Sequence, residues 1–298
     1  MPFLFLSPMQ KPETHIRQAH LPTPFAYRSM AEVEERRSQT PDLPHRHDYF
    51  TVIVVERAQG AHQIDFKEYT LRENTVYFVS PEQIHHLTVT EPNPRGHVIL
   101  FRPDFLQQYS FSPSQLYDMD LFFNCDESLP LELTPDEINE LLPLVKGMED
   151  EAQSERSQKW EAVGAWLKLF LLQCKRFKSD KKVLNKTWDN RQAEIVKQFK
   201  SDVELFFRKY HKVNEDADRQ HLTANHLNDV IKSETGTSAK EFIQNRLALE
   251  AKRLARYSEL NAKEIAYQLG YDDIAHFSKF FKKSEGMAFS EFRENTEP

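Results

Sequence analysis

His226-Leu-Asn-Asp-Val-Ile-Lys-Ser-Glu-Thr-Gly-Thr-Ser-Ala-Lys-Glu-Phe242 recurs fifty residues on, without a gap, as His276-Phe-Ser-Lys-Phe-Phe-Lys-Lys-Ser-Glu-Gly-Met-Ala-Phe-Ser-Glu-Phe292. His226/His276, Lys232/Lys282, Gly236/Gly286, Glu241/Glu291 and Phe242/Phe292 are identical, and Leu227/Phe277, Val230/Phe280 and Ile231/Phe281 correspond in kind. Each copy predicts a short helix with Thr223 or Asp273 as N-cap, an apolar seam on one side, and a glycine where a left-handed residue ends the helix. A second short helix precedes each copy. In the later one, Glu264-Ile-Ala-Tyr-Gln-Leu-Gly270 runs to a glycine turn, after which Asp272-Asp273 opens the next helix, and Asn261 with Glu264 caps the first. Helix, short glycine turn, helix is the pattern of a helix-turn-helix unit. Ser238, with Glu241 three residues later, opens a longer helix to about Tyr257 that joins the two units.

Two such units would present two recognition helices to DNA, each of a size that enters a major groove. The outward positions are Asn225, His226, Asn228, Asp229 and Lys232 in the first, and Ile274, Ala275, His276, Ser278, Lys279 and Lys282 in the second. Apolar groups there suit thymine methyls, and polar ones suit base edges or phosphates. Asn228 has an amide that can pair bidentately with adenine, whereas the repeated Lys232 and Lys282 suit phosphates. The competing reading is a pair of solvated faces in a helical bundle. It draws on the low basicity of residues 181–298, where 21 basic side chains stand against 19 acidic ones. The Lys279, Lys282 and Lys283 cluster and the helix N-termini partly compensate.

Upstream of the repeat the composition changes. Fifteen of the sixteen prolines lie between Pro2 and Pro143, and residues 1–180 carry 18 basic against 27 acidic side chains, a balance of −9. Phe50 to Val55, Ala61 to Phe66, Val76 to Ser80, His86 to Val89 and His97 to Phe101 are short β-branched or aromatic runs separated by turn residues. They predict a small antiparallel barrel or jelly roll whose interior can take a ligand. From Thr134-Pro135-Asp136-Glu137 the pattern becomes helical, first to about Glu151 and then from Ser157 to Phe177. The second helix has a wide apolar face that either packs on the barrel or pairs with a second subunit, in which case Leu167 and Phe170 belong to a homodimer contact. Lys178 to Lys182 reads as a linker.

The 298 residues suggest about two domains. Their division is 1–130 for the barrel, 131–180 for a helical packing or dimerisation segment and linker, and 187–298 for the helical DNA-binding part, an α+β fold overall. Several functions are excluded. The seven glycines lie no closer than sixteen residues apart, which rules out GxGxxG, P-loop and GxSxG motifs. Cys125 and Cys174 form no CxxC pair and are expected to be buried free thiols. No apolar run is long enough for a membrane span, and nothing resembles a signal peptide, so the expected compartment is the cytoplasm.

The segment Ile265 to Tyr271, then His276 to Lys283 and on to Phe292-Arg293, closely resembles the DNA-binding domain of the arabinose-regulator (AraC/XylS) family over roughly residues 190–295. That resemblance implies two helix-turn-helix units on one monomer, transcription control at promoter DNA, contact with RNA polymerase, and an N-terminal ligand-sensing barrel of the cupin type. Phe289 departs from the proline usual in the family, Ala288 lacks the capping hydroxyl of Ser238, and Asp229 stands where an arginine is frequent. The first half is similar to a cupin sensor in Pro44-His45-Arg46-His47-Asp48 and in Phe78 to His86. A metal-binding cupin carries a glutamate three or four residues after the histidine pair, where this chain has Thr51 and Val52. His45, His47, His85 and His86 are therefore expected to line an effector pocket, with three-histidine metal binding and plain strand-end histidines as the alternatives. The expected function is a regulator whose barrel senses a small molecule, with no cofactor and no reaction catalysed. The alternatives are a metal-dependent cupin enzyme with a helical appendage and a constitutive DNA binder whose barrel only dimerises.

Overall fold

The computed structural model describes residues 17–19, 21–39, 43–109, 115–116, 119–122, 130–182 and 190–296. Cys125 lies outside them. The strands are β1 (Arg17–Ala19), β2 (Phe25–Ser29), β3 (His45–His47), β4 (Phe50–Arg57), β5 (Gly60–Ile64), β6 (Lys67–Thr70), β7 (Thr75–Val79), β8 (His85–Val89), β9 (Arg95–Phe101) and β10 (Leu131–Glu132). They form two five-stranded sheets, β1-β3-β8-β5-β6 and β10-β7-β4-β9-β2. Each of the five runs expected to be strands contains one, although Asp65 and Phe66 at the end of the second run form the turn after β5.

β4 explains why the sequence there is a nearly unbroken apolar run. Phe50, Val52 and Val54 belong to the core shared with the helices, whereas Ile53 and Val55 belong to the core between the sheets. A strand covered on both faces needs no polar alternation. The helical cover is α1 (Met30–Gln39), α2 (Pro103–Tyr109), α3 (Pro135–Gln153) and α4 (Lys159–Lys182). Thr134 caps α3 as expected: its hydroxyl accepts from the Glu137 amide at 3.2 Å while the Glu137 carboxylate accepts from the Thr134 amide at 2.7 Å.

On α4, Leu167, Phe170, Leu171 and Cys174 are fully buried against α3 and the sheet. The face offered as a possible dimer contact is therefore internal core, at least at Leu167 and Phe170, and burial pushes the Cys174 thiol up. The expected linker at 178–182 is instead the last turn of α4. Its polarity marks a solvated helix end, held by Lys178 to Asp120 and Lys181 to Glu137.

The second half is all helix: α5 (Asn190–Phe206), α6 (Val213–Arg219), α7 (Ala224–Thr235), α8 (Ala239–Tyr257), α9 (Ala262–Gln268), α10 (Ile274–Glu285) and α11 (Phe289–Thr296). Its core unites the first unit's Leu227 and Ile231 with Ile243, Leu247 and Ala251 of α8 and with Ile265, Leu269, Phe277 and Phe281 of the second. No described residue of the barrel enters that cluster. Gly236 and Gly286 end α7 and α10 at φ of 77° and 78°, with nothing near enough to meet an added Cβ. Backbone conformation alone selects glycine there. Phe289 is buried against Phe277 and Phe281, with ring centroids 5.2 and 5.1 Å apart, so the residue that departs from the family's proline fills the second unit's core.

Candidate nucleic-acid interface and ligand-sensing domain

α7 and α10 are positioned alike. The Thr223 hydroxyl accepts from the His226 amide at 3.2 Å and the Asp273 carboxylate accepts from the Ala275 amide at 2.6 Å, so both helices begin where the repeat indicates. Leu227, Val230 and Ile231 turn into the core, as do Phe277 and Phe281. Asn225, His226, Asp229 and Lys232 are exposed on α7, and Ile274, Ala275, His276, Ser278, Lys279 and Lys282 on α10. Ile274 is the informative one, because 41% exposure of a large aliphatic residue at a helix N-terminus leaves apolar surface without cover. Asn228 differs from the expectation. It is half-buried, and its amide oxygen accepts from the Ala239 amide at 3.2 Å, so one of its two lone pairs is spent on the first turn of α8. Asp229 adds an acidic group to the exposed face of α7.

The two units are joined tightly. Gly270, at φ 80° in the turn after α9, would place a Cβ 1.9 Å from the Arg208 carbonyl oxygen, and the His211 ring meets the Leu269 carbonyl at 2.9 Å. The segment leaving α5 thus grips the turn of the second unit.

In the barrel, the His47 Nδ1–H donates to the Tyr49 carbonyl at 2.6 Å, which leaves the single lone pair of Nε2 shared between His85 Nε2 at 3.0 Å and the Thr51 hydroxyl at 3.2 Å. His62 Nε2–H then donates to His85 Nδ1 at 3.1 Å. Burial, reinforced by the neighbouring His45, pulls the His47 imidazolium down to about 4. His45 is half-buried at the rim, with its ring 4.5 Å from that of His85. His86 does not join the cluster, since alternation along β8 puts it on the other face from His85. His62 takes its place, and the same alternation, which turns His62 and Ile64 inward on β5, was the signal for it. Among the described residues no group of three His, Cys, Asp or Glu side chains is arranged to hold a metal ion.

A cleft of about 610 Å³ opens between β6 and β7, with Tyr69, Tyr77, Phe78 and Leu131 as its apolar wall and Arg72, Lys178 and Lys181 at its edge.

The comparisons with known proteins follow the same division. Residues 32–163 match the AraC-like ligand binding domain and residues 217–295 match a helix-turn-helix domain. The HTH-type transcriptional activator RhaS of Escherichia coli is 25% identical over 259 residues, covering 84% of this chain and 87% of the relative. Among solved structures, the C-terminal domain of AraT, a response regulator from Geobacillus stearothermophilus, is 26% identical, with a TM-score of 0.33 over 36% of this chain and 88% of that one. ToxT from Vibrio cholerae is 15% identical, with a TM-score of 0.37 over 91% and 98%. Overlaps at these TM-scores carry no functional weight. No described helix is long and apolar enough to cross a membrane. With a ligand-binding domain and a helix-turn-helix domain of this type in sequence on one chain, the protein belongs to the AraC family of DNA-binding transcriptional regulators.

Proposed function

We propose that this regulator is cytoplasmic and reads two short promoter elements with α7 and α10 while its barrel takes up a small-molecule effector. The observation that carries the reading is the pair of equivalent, capped helices whose outward faces stay exposed in the full chain. On α7, Asn225 and His226 reach base edges and Lys232 a phosphate. On α10, Ile274 and Ala275 meet thymine methyls, His276, Ser278 and Lys279 meet base edges, and Lys282 a phosphate. Asn228 supports the site by capping α8. The DNA-binding part comprises 187–298, which is supported by a core that shares no residue with the barrel.

The effector is assigned to the cleft between β6 and β7. Its volume of about 610 Å³ lies within the usual range for small-molecule sites, roughly 300–1,000 Å³. The histidine end is more closely tied, since His47 and His85 bond through both ring nitrogens and His62 reaches His85 through Nε2, with His45 at the rim. Family likeness supports contact with RNA polymerase. A homodimer would use the outer face of α4, where Leu169 is 51% exposed.

Selection of preferred sites from random duplexes tests the reading. His226→Ala should relax preference in one element and Lys279→Ala in the other, each at a cost of about 1–3 kcal/mol at its own position. Lys232→Ala should weaken all sequences alike. Loss of preference in the same element for both His226 and Lys279 variants would reject the assignment.

A further inference from the structure

We infer that the turn between β5 and β6 is an interdomain latch, closed by Asp65 on Arg253, through which the barrel holds the helix joining the two reading units. This rests on the two-element reading above and adds the contact that regulates it.

The Arg253 guanidinium donates through Nε to Asp65 Oδ1 at 2.7 Å and through Nη2 to Oδ2 at 2.8 Å, a two-pronged pair with both residues buried. On the barrel side, Asp65 is fixed by the Gln83 amide, which donates to Oδ2 at 3.0 Å, and by a 2.6 Å bond from its own amide to the Ile84 carbonyl. On the helical side, Arg253 also donates to Glu250 at 3.1 Å, and Glu250 receives Arg246 at 3.0 Å and Arg208 at 2.9 Å. Burial alone would raise the Glu250 carboxyl, but the charges of Arg246, Arg253 and Arg208 hold it down to about 2. Arg208 is the residue whose carbonyl abuts Gly270. The network therefore runs from the barrel turn, through α8, to the joint between the two helix-turn-helix units.

Beside the ion pair, Phe66 sits among Tyr257, Phe292, Lys252 and Arg256, with ring centroids 6.4 Å from each aromatic and the two cations 5.5 and 5.8 Å from its ring. A contact of this composition is suited to opening. Among the described residues none of the three apolar cores crosses it, so separation rehydrates charges and a small aromatic cluster rather than exposing a hydrophobic interior. Buried ion pairs add little net stability, since desolvation offsets attraction, but they impose one geometry. The effector cleft shares the same hairpin, because Glu68, Tyr69 and Thr70 line it within five residues of Asp65. A ligand that shifts β6 shifts the turn. In the closed state α8 and the Arg208 segment are held, so the two units meet DNA already ordered, and opening loosens them.

The test compares full-length Asp65→Asn and Phe66→Ala with the wild-type chain. Asp65 has φ of 54°, a conformation asparagine adopts readily, so the first change removes charge without straining the turn. The second removes the aromatic seat from the barrel surface and serves if the first fails to fold. Both variants should show a larger radius of gyration by small-angle scattering and faster amide exchange in α8 near Arg253. Affinity for a duplex carrying both elements should fall by about fivefold or more, the lower range of allosteric coupling, while affinity for a single element stays within about twofold. Variants as compact and protected as the wild type overturn the latch. Opened variants whose two-element affinity is unchanged or raised overturn its coupling to DNA. If the wild-type chain binds no DNA, the reading above fails, while scattering and exchange still decide whether the latch exists.

Discussion

Replacing glycine by alanine at three equivalent-looking turns separates backbone conformation from close packing. Gly236 and Gly286 have nearly the same positive φ and open space around them, so alanine there meets only the left-handed penalty of about 1–2 kcal/mol. Gly270 has φ of 80° and carries the same penalty, but its Cβ would also stand 1.9 Å from the Arg208 carbonyl oxygen. Backbone cannot rotate aside as a side chain can, so overpacking adds about 1–3 kcal/mol and pulls on the Arg208–Glu250 pair. For a domain of this size 1 kcal/mol corresponds to roughly 4 °C in Tm. Thermal unfolding of the full chain, followed in its helical transition, should therefore show Gly236→Ala and Gly286→Ala lowered alike by about 4–8 °C. Gly270→Ala should be lowered by roughly twice that or more. Equal losses at Gly270 and Gly286 would refute the claim that the two units are in direct contact at that turn.

The remaining predictions concern the barrel and the independence of the domains. Leu167→Asp should unfold the barrel, because the side chain is fully buried, whereas Leu169→Asp on the exposed face of α4 should leave its circular dichroism and melting intact; equal tolerance of both would contradict the packing. His47 is held neutral, so between its ordinary 6.5 and about 4 the unfolded chain takes up a proton that the folded barrel refuses. Stability is then greatest above pH 6.5 and falls by about 3 kcal/mol as the pH drops to 4. Comparing pH profiles of melting for the wild type and His47→Gln checks this, since the variant should lack that part of the slope. A fragment of residues 187–298 should fold alone and bind DNA at low salt, and a helical fragment with no affinity for any duplex would count against the domain division.

The helical half was legible because its signals are local. A repeat with fixed caps, seams and glycines specifies each element within a few residues, and even Phe289 reads correctly once its place beside Phe277 is known. The barrel strands were legible from alternation and turns, but their long-range partners were not. Nothing near His62 in sequence announces that it stands beside His85, although strand parity would have turned it inward and His86 outward. The face of α4 was ambiguous because burial against one's own sheet and burial against a partner ask for the same residues. Asp65 and Arg253 are 188 positions apart, and each looks like an ordinary surface charge until the domains are placed together. Helical spacing puts Asn228 outward, and only the start of α8 at Ser238-Ala239 reveals that its oxygen also bonds the Ala239 amide.

Hydroxyl-radical footprinting of the full-length protein on its selected duplex tests the central claim most directly. Two helices held at one joint should protect two patches about 10 base pairs apart on the same face of the DNA, one lost with substitution on α7 and the other with substitution on α10. A single protected patch, or uniform protection that no substitution on α10 alters, would contradict the account.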